Sequence, residues 1–370
     1  MIVQDRKETL FTAKMPENIP EHLNVSLTRR IVTVALAVFT LGVSLLIQKG
    51  LEYLAKRSFM MAAYVSEKTK NELHNQRTAF LETYPQAKEV FFNTFDGAKI
   101  NGIQINPQGK DPLRDKSQET AIIFFCGMGS LYERYLSDDA FIEYAKQTES
   151  TILLFNYRSV LKSEGSPSYG KDVVIDGDAA LQFLMDQGFQ KRKVLLHGYS
   201  LGGGISAQVA LMNTDPADPK NCPPYLNEKS FESSAKAVAA LKGAFLGTLV
   251  YLAHWNLPAY KLWEEKNNQS KKALIVHKED YMIPYREASL YKTLRGYLGF
   301  KKVAKNEENE KAIIIKTLAQ DIKSDHTKVY FETYKLDAAK PEITTHCSML
   351  FQGQEAIKRI SDIALELFEE

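Results

Sequence analysis

Ser200 lies in Gly198-Tyr199-Ser200-Leu201-Gly202, with a mostly apolar run at 193–198 before it and small residues at helical spacing after it. A serine hydroxyl is a poor nucleophile unless the chain exposes it and a neighbouring base takes its proton. A tight turn from strand to helix achieves the first condition. It strains the serine backbone, while glycines two positions to either side let strand and helix pass without Cβ clashes. The following helix adds amide donors and a positive dipole end. The competing reading is a glycine-rich turn without chemistry. Strand and helix both fall where a nucleophile elbow needs them, which favours Ser200 as the nucleophile.

The partners are expected downstream in the order serine, acid, histidine. Asp280 comes three residues after the apolar run 272–277, in "HKEDYMIPY", and is the candidate acid. Adjacent Glu279 reads as a solvated loop charge, and Glu232, beyond a strand near 225–230, is the second candidate. Three histidines lie in reach: His277 ends the acid-bearing strand, His326 precedes the strand 328–334, and His346 follows it in "DAAKPEITTHCSML". Only His346 stands after the last strand, from which an imidazole can reach back over the sheet, so it is the candidate base. A developing oxyanion needs two backbone N–H donors. Leu201, the residue after the nucleophile, supplies one. Met128, between Gly127 and Gly129 in "CGMGSLYERY", supplies the other. Cys126 beside them reads as a small buried thiol.

These residues need a scaffold that brings several loops to one edge. Short apolar runs at 121–126, 151–156, 193–198, 272–277 and 328–334 alternate with helical stretches at 137–147, 172–187 and 203–212, and a closing helix spans 353–368. That pattern predicts an α/β fold: a mostly parallel central sheet flanked by helices, with functional groups beyond the carboxyl ends of its strands. "EVFFNTFDGAKINGIQI" is a hairpin turning at Asp96–Gly97. Residues 301–328 read as an insertion, a charged turn with one more helix. Residues 235–265 are apolar and aromatic. They either line the site's mouth, which favours an acyl chain or lipid, or form an ordinary helix over the sheet with Trp255 and Trp263 in the core.

The N-terminal part differs. Residues 1–30 form a polar, loose arm and residues 31–83 a hydrophobic and helical extension, with 48–83 reading as helix; the main domain is expected over 88–370. Seventeen residues, 31–47, carry no charge between Arg29–Arg30 and Lys49. At 1.5 Å rise per residue they reach about 25 Å, slightly short of a hydrocarbon core. The run is a candidate membrane segment, either spanning or lying on the surface, or else a helix packed on the domain. A signal peptide fits less well, because a long region of mixed charge precedes the run.

Composition excludes some classes. A net charge of +2 gives no support for a nucleic-acid partner. The three cysteines, Cys126, Cys222 and Cys347, form no closed disulfide framework and lack zinc-ligand spacing, which points to a reducing compartment. No metal or other cofactor is expected.

Together these motifs resemble the α/β-hydrolase superfamily over about residues 88–370. The likeness is carried in order by "DGAKINGIQI", "FFCGMGS", "NYRSVLKSEGSPS", "HGYSLGGG", "EDYMIP" and "THCSM". It implies a serine hydrolase of the ester or thioester type acting on an acyl or lipid-type substrate, with peptidases and acyltransferases on the same fold as alternatives. A membrane-tethered, hydrolase-like binding module without turnover is a further one. Two departures stand out: Ser159, Val160 and Leu161 replace the small residues usual in the loop after the fourth strand, and Thr345 rather than glycine precedes His346. The hydrophobic helix ahead of a compact hydrolase also resembles a group from intracellular bacteria such as chlamydiae and legionellae, which implies a secreted or host-directed protein.

Overall fold

Three consecutive core strands have no exposed residue: β3 (Ala121–Phe125), β4 (Thr151–Phe155) and β5 (Val194–Tyr199) are buried along their whole lengths. Strands buried on both faces need helices on both sides, so their sequences show continuous apolar runs rather than alternation. The structure, a computed structural model, describes residues 10–26, 30–32, 34–35, 43–107, 115–137, 139–265, 267–277, 280–284, 287–290, 314–315, 327–332 and 354–369.

The hairpin β1 (Ala87–Asn93) and β2 (Lys99–Ile105) pairs antiparallel around Gly97, whose φ of 89° suits the turn. With β6 (Tyr225–Glu228), β7 (Lys272–His277), β8 (Ile314–Ile315) and β9 (Thr327–Glu332), the described strands form one sheet ordered β1-β2-β4-β3-β5-β6-β7-β9-β8. From β4 to β9 neighbours run parallel; β2 is antiparallel to β4, and β8 to β9. That order, with an antiparallel start and a long parallel stretch, is the α/β-hydrolase fold. The helices α4 (Gly170–Asp186) and α5 (Leu201–Met212) pack together against β3, while α3 (Ala140–Thr148) and α8 (Gln354–Phe368) pack together on the other face.

Before the sheet come α1 (Val43–Phe59) and α2 (Glu67–Thr83). The expected single helix over 48–83 is therefore two helices. Phe59 and Met60 are buried, Met61–Tyr64 forms a 3-10 turn, and Val65 is extended. Ser66 then caps α2 by accepting the Thr69 amide at 3.2 Å. No proline or glycine marks this break; burial of the Phe59 ring against Trp255 (centroids 5.3 Å apart, planes 1° apart) makes it. The candidate membrane segment 31–47 falls only partly on described residues. The end of that run lies in α1, which goes on to carry Lys49, Glu52, Lys56 and Arg57. Among the described residues no helix is long and apolar enough to cross a membrane, and residues 36–42 lie outside them.

Two other local expectations differ from the structure. Residues 10–26 are not a loose arm: the Asn93 carbonyl accepts the Ala13 amide at 2.9 Å, and Gln182 exchanges two hydrogen bonds with the Lys14 backbone. Within 301–328, the described Ile314–Ile315 is strand rather than helix and pairs with Tyr330 and Val329. The β-branched run "AIII" suits a strand edge better than a helix.

At the start of β7, Lys272 is buried, and its ammonium donates to the carbonyls of Asn268 (3.1 Å) and Ser270 (2.9 Å). Desolvation lowers its pKa from the ordinary 10.5 to about 7. Between those values the unfolded chain binds more protons than the folded one, so stability rises with pH across that window. Relative to Lys272→Met, the wild type should gain about 2 kcal/mol between pH 7 and pH 9 in urea titrations. Parallel curves for the two proteins would refute this.

Candidate active site

Ser200 joins β5 to α5 with φ 52° and ψ −118°, a region that non-glycine residues seldom occupy. The structure around it holds the strain. Its amide donates to the Glu228 carbonyl at 2.9 Å, and its carbonyl accepts the Gly203 amide at 3.0 Å. Strand and helix approach so closely that a Cβ on Gly198 would lie 2.5 Å from the Gly202 carbonyl oxygen, and one on Gly202 only 2.0 Å from that of Phe125. The glycines flanking the serine are therefore steric requirements, as their spacing suggested.

Beyond β3 the chain turns at 127–130, where the Ser130 amide donates to the Gly127 carbonyl at 3.1 Å and Gly129 has φ 73°. This turn lies against the serine: a Cβ on Gly127 would be 3.2 Å from that of Ser200. Met128 sits within the turn, its side chain partly exposed, and Leu201 is the buried first residue of α5. Tyr157 braces the turn by donating to the Cys126 carbonyl at 3.3 Å. Asn156 accepts the Tyr132 amide at 3.1 Å and donates to both oxygens of Glu133 at 3.1 and 2.9 Å. Glu133 also accepts from Arg77 of α2 at 3.2 Å. Burial pushes the Glu133 carboxyl above the usual carboxylate range, with Asn156 and Arg77 opposing it. Cys126 is buried and desolvation pushes its thiol up, which keeps it protonated and inert.

Asp280 is buried three residues past β7, and its Oδ1 accepts the amides of Met282 (2.9 Å) and Ile283 (2.8 Å). These two bonds fix the carboxylate in its loop. Ser200, Met128 and Asp280 thus follow the carboxyl ends of β5, β3 and β7, with β6 between the serine and the aspartate. Glu232, the second candidate acid, lies past β6 and ion-pairs with Lys236 one helical turn on. His346, His326, Glu279 and the His277 side chain lie outside the described residues.

The loop after β4 resolves one departure from the superfamily pattern. Ser159 (φ 69°) and Leu161 (φ 47°) adopt left-handed conformations without being glycine. Arg158 holds them there: its guanidinium contacts Asp176 at 2.7 Å and Asp96 at 2.8 Å, and its amide donates to Asp176 at 2.9 Å. Burial alone would raise the Asp96 pKa, but Arg158 and Thr94 outweigh it and hold it below the usual range. The Ser159 hydroxyl donates to the Gly165 carbonyl at 2.7 Å.

Two buried side chains that the sequence motifs do not mark lie near the site. Beneath the elbow, His197 of β5 faces Glu228 of β6 at 3.1 Å, both wholly buried. Their residue types were visible, but only adjacency of β5 and β6 pairs them. Among the described residues no group of three or more histidine, cysteine or acidic side chains could hold a metal.

The family described as "Chlamydia CHLPS protein (DUF818)" matches residues 113–322, more than half of the chain. An uncharacterized membrane protein of Saccharomyces cerevisiae is 31% identical over 109 residues, which span 29% of this chain and 37% of the yeast protein. Among solved structures, an esterase of Pyrococcus furiosus superposes with a TM-score of 0.47 at 14% identity, over 76% of this chain and 90% of that one. An esterase of Pyrobaculum calidifontis gives 0.47 at 14% identity, over 82% and 94%.

Proposed function

The chain belongs to the Chlamydia CHLPS protein (DUF818) family, and we propose that it is a serine hydrolase cleaving an ester or thioester of an acyl or lipid-type substrate. The observation that carries this reading is the Ser200 backbone, held at φ 52° and ψ −118° where buried strand meets helix, with the turn 127–130 packed against it. Backbone strain of this kind costs stability and persists where the surroundings over-determine it, as at sites that must present a reacting group.

In this reading the Ser200 Oγ attacks the acyl carbonyl carbon while His346 takes its proton. The carbonyl oxygen becomes an oxyanion, which accepts the amides of Met128 and Leu201. Asp280 orients the imidazole. As the carbon–oxygen or carbon–sulfur bond breaks, His346 returns the proton to the leaving alcohol or thiol and an acyl-serine remains. Water then adds to that ester, His346 takes its proton, and the acid leaves as Ser200 is reprotonated. No cofactor takes part.

A fluorophosphonate probe tests the chemistry directly. The folded wild type should be labelled, and Ser200→Ala or His346→Ala should not. Absence of labelling in folded wild type would remove the enzyme reading and leave a binding module on a hydrolase fold. Esters of graded chain length, beside a peptide panel, then separate esterase from peptidase.

A further inference from the structure

The outward face of α1 is its apolar face. Leu46 (75% exposed), Ile47 (61%), Tyr53 and Leu54 (60%) line one helical stripe with Gly50, beside which a Cβ would meet nothing within 4 Å. The acid of this helix points the other way: Glu52 is buried and bonded to Lys49 at 2.7 Å. Water does not stabilise such an inverted helix.

A second element continues the face. Within 235–265, α6 (Ser234–Lys242) and α7 (Ala244–Leu252) form a helical pair, and α7 contacts α1. Helix α7, "AFLGTLVYL", carries no charge and exposes Phe245 (74%), Leu246, Tyr251 and Leu252. Trp255 behind it is fully buried on Phe59, whereas Trp263 is only partly buried against Tyr225. The segment is thus neither a plain cover nor wholly core.

We propose that α1 and α7 together form a docking face for an anionic phospholipid bilayer, with both helices lying in the plane of its surface. Charge selects this occupant. Residues 29–57 carry Arg29, Arg30, Lys49, Lys56 and Arg57 against the single acid Glu52, which pairs with Lys49, and residues 232–252 carry Lys242 beside the Glu232–Lys236 pair, so the basic side chains remain in excess. A second copy would set like charges against like across a two-fold contact. Anionic headgroups attract them, at about 1 kcal/mol for each basic side chain near the surface. Exposed Tyr53 and Tyr251 place polar tips on apolar bodies, as interfacial residues do, and Arg57 lies over the Tyr64 ring at 5.2 Å. The face also reaches the candidate active site: Met61, just past α1, lies 3.6 Å from where a Gly129 Cβ would be, on the turn beside Ser200.

Sedimentation of the full chain with phosphatidylcholine vesicles, with and without phosphatidylserine, tests the proposal. The wild type should sediment with phosphatidylserine vesicles and dissociate as salt rises. Leu46→Glu combined with Leu54→Glu, or Phe245→Glu alone, should weaken binding by about tenfold or more. Arg57→Gln with Lys242→Gln should weaken binding to anionic vesicles alone and leave the melting temperature unchanged. Ser200→Ala should bind like the wild type, which separates docking from the hydrolase reading. No binding to either vesicle overturns the proposal. So does loss of a dimer, by sedimentation velocity, in the glutamate variants of a chain that does not bind vesicles.

Discussion

Asp280→Asn should lower kcat/KM on a reactive ester by about ten thousandfold, with little change in stability. Asn keeps a carbonyl oxygen where Oδ1 accepts the amides of Met282 and Ile283, so the loop retains its hydrogen bonds. In the proposed mechanism it loses the charge that would stabilise an imidazolium and select the tautomer that deprotonates Ser200. Glu232→Gln provides the contrast. Its carboxylate, only 12% exposed, is held in an ion pair with the more exposed Lys236 of α6. Activity of that variant should stay within a few-fold of wild type. A collapse on Glu232→Gln with survival of Asp280→Asn would exchange the two assignments.

Gly202→Ala should destabilise the protein by at least about 3 kcal/mol and abolish probe labelling. The added Cβ would meet only backbone: the Phe125 oxygen at 2.0 Å, the Phe125 carbonyl carbon at 2.5 Å and the Cys126 oxygen at 2.8 Å. No side chain can rotate away, so α5 must separate from β3, taking Ser200 from the turn at 127–130. Gly50→Ala in α1 is the matched control. Its Cβ enters open space, and replacing an exposed helical glycine should raise stability by about 0.5–1 kcal/mol. Thermal melts of the two variants should therefore move in opposite directions. A neutral Gly202→Ala would show that the elbow packs more loosely than these distances require.

What sequence conveyed well were features with local causes. The runs at 121–126, 151–156, 193–198 and 272–277 are strands because burial on both faces demands continuous apolar residues. The glycines around Ser200 likewise reported a steric need two residues away. Other features escaped because their causes lie far along the chain. The break between α1 and α2 depends on Trp255, some 200 residues on, and the braced turn after β3 depends on Asn156 and Arg77. The loop after β4 lacks the expected glycines because Arg158 and two aspartates hold left-handed serine and leucine instead. His346 is a candidate by its order after the last strand, and it lies outside the described residues.

The contact of Arg77 with Glu133 bears on how this protein can be cut. A boundary drawn just before β1 looks natural, since the sheet starts there and the hydrophobic helices precede it. Such a fragment would leave Glu133 buried without its cation and the turn beside Ser200 without that support. The same cut removes Phe59 and so uncovers Trp255. The N-terminal helices therefore support the turn beside Ser200 as well as forming an outer face, and a fragment trimmed at β1 would lack part of the candidate site's framework.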